Sequence, residues 1–102
     1  MKSRAVYSIA ELRSLVIPLA SKYGFLRVRL FGSYARGEAV PSSDIDVLLD
    51  GGASFKPLSI FAFSEDLRLA SGKDVDVYEV SELDPGVFRD AVLRDAVELW
   101  TA

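Results

Sequence analysis

The stretch from Leu30 to Asp50 reads LFGSYARGEAVPSSDIDVLLD and carries two features with chemical content. Gly32 and Ser33 close an apolar run, and Asp44 and Asp46 are set two positions apart in a segment rich in Ile, Val and Leu. Carboxylates are costly where such residues want to be buried. In a strand, residues i and i+2 project from one face, roughly 6.5–7 Å apart along the chain, so Asp44 and Asp46 point together while Ile45 and Val47 point the other way. Two like charges this close repel, and at least one resists ionising unless a positive charge sits between them. A divalent cation resolves the conflict, because Mg²⁺ takes oxygen ligands, keeps several waters, and binds one or two carboxylates together with substrate phosphates. In two-metal sites the ions stand about 3.5–4 Å apart, a gap that neighbouring carboxylates bridge.

A third carboxylate is offered by KDVDVYEV, residues 73–80, where Asp74 and Asp76 share one face and Val75 and Val77 the other. Either completes a metal-binding trio; Asp76 is the better embedded in the apolar run. Asp50 shares the parity of Asp44 and Asp46 but stands before Gly51-Gly52, where a turn role suffices. Gly32 and Ser33 follow a strand-like run and open a short helix. Glycine lets the backbone come close to a ligand, a helix N-terminus presents free N–H groups to an anion, and Ser33 adds a hydroxyl. The P-loop pattern G-x-x-x-x-G-K-[ST] is absent. Phosphate donors beside metal-ready carboxylates describe a site for a nucleoside triphosphate.

Each feature alone has a plainer explanation. A D-x-D pair is common on solvated strands, Gly32 alone reads equally as a tight turn or a phosphate contact, and Ser33 alone reads as a helix cap. Arg27 and Arg29 read as a solvated strand face. Phe55, Phe61, Phe63 and Trp100 read as core, with an interface role open to some of them, and Tyr23, Tyr34 and Tyr78 carry no distinctive signal.

Composition narrows the chemistry. A chain of 102 residues suits one domain over 1–102. With 50% hydrophobic and 26% charged residues it is globular. That apolar content is generous for a domain this small, which points to a partner surface and a homo- or hetero-oligomer. A net charge of −3 argues against a dedicated nucleic-acid binder. The absence of Cys removes thiol nucleophiles, disulfides and thiolate metal sites, and the absence of His removes the commonest general base and any Ser-His-Asp triad. What remains is chemistry on carboxylates, hydroxyls, Lys and Arg, backbone amides or a hard metal ion. No apolar run approaches a membrane span and no signal-peptide pattern opens the chain, so the expected compartment is the cytoplasm.

The elements that must position these residues follow from periodicity. SIAELRSLVIPLASKYG has Ser8 three residues before Glu11, a capping-box spacing, with Ile9, Leu12, Leu15, Val16 and Leu19 at helical spacing, Gly24 as the stop and Pro18 as an expected kink. FLRVRLFG alternates, with Leu26, Val28 and Leu30 on one side and Arg27 and Arg29 on the other. SYARG is a short helical turn, EAVPSS a loop, and DIDVLLD a central strand. A helix over about 57–70, a third strand in KDVDVYEV, a C-terminal helix and a closing strand at VELW complete an α/β (α+β) order with a small mixed sheet flanked by helices.

Gly32-Ser33, ten intervening residues and Asp44-x-Asp46 resemble the signature of the nucleotidyltransferases of the DNA polymerase beta superfamily. LFGSYARGEAVPSSDIDVLLD is most similar to its smallest members, the minimal nucleotidyltransferases (MNT domains) of prokaryotes. The resemblance covers nearly the whole chain. GKDVDVYEV occupies the place of that family's third catalytic Asp, with the V-D-V pattern selecting Asp76, and VFRDAVLRDAVELW resembles its closing helix and strand. Asp74 is a departure that leaves the third position open to a shift in register. The resemblance implies a polymerase-beta-type fold in which Asp44 and Asp46 coordinate two Mg²⁺ ions, Asp76 completes the nucleophile-side ion, Gly32 and Ser33 hold the β- and γ-phosphates, and Arg36 assists a phosphate. The implied reaction is attack of an acceptor hydroxyl on the α-phosphorus, with pyrophosphate leaving.

Larger enzymes with this signature append an acceptor-recognition domain, for which this chain leaves no residues. The minimal members are typically paired with a helical HEPN-domain ribonuclease toxin and act as its antitoxin by transferring AMP from ATP to one of its tyrosines. The resemblance therefore implies a Mg²⁺-dependent protein adenylyltransferase antitoxin. The alternative is a non-catalytic module that neutralises the partner by stoichiometric contact, although such a binder has no physical need for clustered carboxylates. Transfer to RNA or to a small molecule such as an aminoglycoside is a third reading, disfavoured by the acidic balance.

Overall fold

The computed structural model describes residues 5–52 and 56–102. Helix α1 (Ile9–Tyr23) starts at the predicted capping box: the Glu11 N–H donates to Ser8 Oγ at 3.1 Å, and the Ser8 N–H donates to Glu11 Oε1 at 2.9 Å. These bonds satisfy two of the N–H groups that every helix start leaves unpaired. Pro18 lies inside the helix without ending it, and Gly24 stops it in the left-handed conformation, φ +68°. Leu12, Val16 and Ala20 form the buried stripe.

Strand β1 (Arg27–Phe31) runs directly into the short helix α2 (Gly32–Arg36), and a loop leads to strand β2 (Ile45–Asp50). Helix α3 (Pro57–Ser71) begins with proline at its first turn, where the missing N–H costs nothing. Strand β3 (Val75–Glu79), a 3-10 turn at Val80–Glu82, helix α4 (Val87–Asp95) and strand β4 (Val97–Thr101) follow. Among the described residues the sheet has four strands in the order β3-β2-β1-β4. β1 is antiparallel to β2 and β4, while β2 and β3 are parallel, joined by the α3 crossover. The mixed sheet and the predicted element order are both observed.

Both sheet faces are covered. On one, Val28, Leu30, Ile45, Val47, Leu49 and Leu99 pack against Leu12, Val16, Phe63 and Leu67 from α1 and α3. On the other, Phe31 and Leu48 pack with Leu83 and Val92. The expectation that aromatics fill the core holds for Phe63, fully buried, and for Trp100, partly buried against the main core. It fails for Phe61, which is 72% exposed on the outer side of α3. Helical geometry explains the miss: Phe61 and Phe63 are about 200° apart around α3, so only one of them can face the sheet. Phe55 lies outside the described residues. Leu26 falls before β1 and is half exposed rather than part of the buried alternation. Arg27 and Arg29 are both only partly exposed; Arg27 donates from Nε and Nη2 to the two Glu98 carboxylate oxygens at 2.8 and 2.9 Å. No helix among the described residues is long and apolar enough to cross a membrane.

Candidate active site

Strand register brings two of the acidic residues, Asp46 and Asp76, together. Phe31, the last residue of β1, pairs with Asp46, and Asp46 pairs with Asp76 across the parallel β2–β3 ladder. Residues directly opposite share a face, so Phe31, Asp46 and Asp76 form one row on the α4 side of the sheet. Leu48 and Tyr78, paired with each other, form the next row on that side. Ile45 and Val47 are buried on the opposite face, as alternation demands. Of the two candidates in the third strand, Asp76 faces Asp46; Asp74 precedes the strand, is exposed, and accepts the Ile45 N–H on its carbonyl at 2.9 Å.

Asp44 departs from the sequence expectation. It stands one residue before β2 rather than on it, because the strand ladder begins only at Ile45. Its charge nevertheless reaches Asp46. The Asp46 carboxyl is pushed up to about 6, first by burial, then by the negative charges of Asp76 and Asp44 and by a hydrogen bond that protonated Asp46 donates to Asp76; Arg36 pulls the other way. The three carboxylates thus behave as one electrostatic unit around Asp46.

Gly32 is built against this unit. Its φ is +70°, and a Cβ there would lie 2.2 Å from Asp46 Oδ2 and 3.1 Å from Asp46 Cγ. Only glycine tolerates both the left-handed backbone and the approach of the carboxylate. Ser33 is not a helix cap: Phe31 holds the cap position, and Ser33 sits in the first turn of α2, where its carbonyl accepts the Glu38 N–H at 2.9 Å. The Ser33 hydroxyl makes no hydrogen bond among the described residues. Arg36, at the end of α2, donates from Nε to Glu38 Oε1 at 2.7 Å and from Nη1 to Asp95 Oδ2 at 3.3 Å.

Two features escaped the sequence. Lys73 is buried, 2% exposed, and its Nζ donates to the Pro41 carbonyl, which ties the entrance of β3 to the loop that carries Asp44. A lysine heading a strand reads as solvated, so no sequence signal marks it. Tyr78 and Phe88 form the second feature, an aromatic group with Phe31 beside the acidic row. These three residues are far apart in sequence, so only the tertiary fold assembles them.

The donor set suits a hard divalent cation: all-oxygen carboxylates, one of them disfavoured as an anion first by burial and then by its neighbours' charges. Among the described residues no three acidic side chains converge into a complete cage, so Asp46 and Asp76 are the pair in contact and Asp44 joins them through its charge. Substrate oxygens and water fill the remaining positions at sites of this kind.

Comparison with known proteins is consistent across sequence and structure. The nucleotidyltransferase domain model matches residues 13–98. A Methanocaldococcus jannaschii protein named as a protein adenylyltransferase is 35% identical, covering 90% of this chain and 98% of the relative. Protein adenylyltransferase MntA of Thermococcus cleftensis is 32% identical over 91% of this chain and 97% of the relative. A solved minimal nucleotidyltransferase superposes with a TM-score of 0.76 at 33% identity, covering 91% of this chain and 97% of that one. A chain from the complex of a tri-AMPylated Shewanella oneidensis HEPN toxin with MNT antitoxin shares the fold, with a TM-score of 0.70 at 20% identity over 92% of this chain and 73% of that one.

Proposed function

The chain belongs to the nucleotidyltransferase domain family, and on that footing we propose that it is a Mg²⁺-dependent protein adenylyltransferase. In this reading one minimal domain over residues 1–102 transfers AMP from ATP to a tyrosine hydroxyl of a HEPN-domain toxin and so acts as its antitoxin. The observation that carries the reading is the register of Asp46 against Asp76 with the Gly32 backbone closed on the Asp46 carboxylate. The relatives named as protein adenylyltransferases and the fold shared with a complex of an AMPylated HEPN toxin support the choice of AMP and of a protein acceptor.

Asp44, Asp46 and Asp76 are the residues that would hold the metal ions, with Asp46 and Asp76 opposite one another across the β2–β3 ladder and Asp44 acting on Asp46 through its charge. When bound, Mg²⁺ supplies countercharge and lowers the pKa of the acceptor hydroxyl. Gly32 and Ser33 hold the β- and γ-phosphates through backbone N–H groups and the Ser33 hydroxyl. Arg36 adds positive charge on the same side, close enough to Asp46 to act on its carboxyl. The acceptor oxygen forms a bond to the α-phosphorus, the bond to the pyrophosphate oxygen breaks, and the hydroxyl proton leaves to solvent. No step requires His or Cys, and the chain has neither.

Co-expression with the cognate HEPN protein tests this. The intact mass of the partner is expected to rise by whole AMP units with the wild-type chain and to stay unchanged with Asp44→Ala. An unchanged partner mass alongside full neutralisation by both proteins overturns the enzyme reading and favours masking by contact.

A further inference from the structure

We propose that Tyr78 is a self-adenylylation site: without a partner present, its hydroxyl accepts AMP from the ATP bound by the same chain. The inference rests on the nucleotidyl-transfer site proposed above and adds an acceptor within the protein itself. Of the four tyrosines, two have their hydroxyls committed. Tyr7 donates to the Ser71 carbonyl at 2.5 Å, and Tyr23 donates to Asp66 Oδ2 at 2.6 Å. A third, Tyr34, is buried in the main core, where no acceptor can reach a bound nucleotide. Tyr78 is 36% exposed, and its hydroxyl makes no hydrogen bond among the described residues.

Placement ties this free hydroxyl to the chemistry. Tyr78 follows Asp76 by two residues on the same face of β3, about 6.5–7 Å along the strand, and its ladder partner Leu48 follows Asp46 in the same way. β2 separates β3 from β1, at about 4.8 Å per strand, yet the ring centroids of Tyr78 and Phe31 are only 6.0 Å apart. The Tyr78 ring therefore leans inward across Leu48, towards the row that holds Asp46. Phe88 also packs on it, with centroids 5.7 Å apart, and limits the directions in which the ring can swing. Gly32 and Ser33 follow Phe31 at the end of β1, so the residues assigned above to the phosphates stand on the β1 side of Asp46 and Tyr78 on the β3 side. In-line displacement at phosphorus needs that disposition, with the attacking oxygen across from the leaving one. The Tyr78 oxygen forms a bond to the α-phosphorus, the bond from that phosphorus to the pyrophosphate oxygen breaks, and the phenolic proton passes to water.

Intact-mass measurement and tryptic mapping of the full chain with MgATP test this. The tryptic peptide 74–89 contains Tyr78 as its one tyrosine. The wild-type chain, incubated alone, is expected to gain one AMP unit on that peptide. Tyr78→Phe is expected to keep its own mass and still to add AMP to the cognate partner. Asp46→Asn is expected to stay unmodified, even when mixed with the Tyr78→Phe chain, because the transfer takes place within one molecule. Three results overturn self-adenylylation and leave the proposed function standing: AMP on Asp46→Asn in that mixture, AMP persisting on Tyr78→Phe, or a wild type that modifies its partner and not itself. A wild type that modifies neither itself nor its partner overturns both readings together.

Discussion

At the scale of single residues, the contact between Gly32 and Asp46 is the most constrained in the site. An added methyl at Gly32 meets Asp46 Oδ2 at 2.2 Å on a backbone with φ +70°. The carboxylate is the end of a short side chain, so it can swing away, but only by leaving the position from which it faces Asp76. Gly32→Ala therefore separates folding from function. Its stability cost is expected to be about 1–2 kcal/mol, the penalty for a left-handed alanine, read from urea unfolding. Adenylyl transfer is expected to fall about 100-fold or more, as a displacement of about 1 Å at a reacting centre commonly does. Near-wild-type turnover in Gly32→Ala would show that the Asp46 orientation is not what the site depends on.

At the scale of elements, the site is a junction between two connections. The 37–44 segment ends in Asp44, the link from α3 to β3 leads to Asp76, and Lys73 fastens one to the other through the Pro41 carbonyl. A hydrogen bond from a charged donor contributes about 1.5–3 kcal/mol. Lys73→Met keeps the aliphatic stem and removes the ammonium, so a loss of about 2 kcal/mol is expected in urea unfolding. A weaker Mg²⁺ affinity is expected with it, because Asp44 sits in the released loop. A Lys73→Met protein as stable as wild type would mean that the strands alone position the loop.

At the scale of the whole molecule, the radius of gyration is 12.7 Å, close to the ~13 Å of a compact 100-residue domain, and the net stability of such domains is a small margin against which a strained site counts. Asp46 sets up such strain. Its folded-state carboxyl is pushed up to about 6 from 3.8, so between those values the native state holds a proton that the unfolded chain gives up. Stability from this group is full below about pH 4 and is lost as pH rises through 6. With divalent cations chelated, Asp46→Asn is expected to be more stable than wild type at pH 7.5, by on the order of 1 kcal/mol because the carboxyl is only half buried, and to match it near pH 4. Restoring Mg²⁺ is expected to raise the wild-type melting temperature and leave that of Asp46→Asn nearly unchanged. Parallel pH profiles for the two proteins would show that the carboxyl cluster carries no strain.

The sequence by itself determined the elements, because each rests on local signals. The Ser8–Glu11 box, the alternation around Val28 and Leu30, the Gly24 stop and the Asp46 strand with buried neighbours on its other side all depend on residues within a few positions of one another. It also pointed to Gly32 and the aspartates, since a carboxylate in an apolar run carries its own electrostatic warning. Tertiary structure alone decided which carboxylates face each other, because register across β2 and β3 depends on the α3 crossover. It placed Asp44 just outside the strand and turned Phe61 outward on α3. It also buried Lys73 and gathered Phe31, Tyr78 and Phe88 from three separate elements. Such contacts join residues ten or more positions apart, and no local periodicity encodes which distant side chain will meet them.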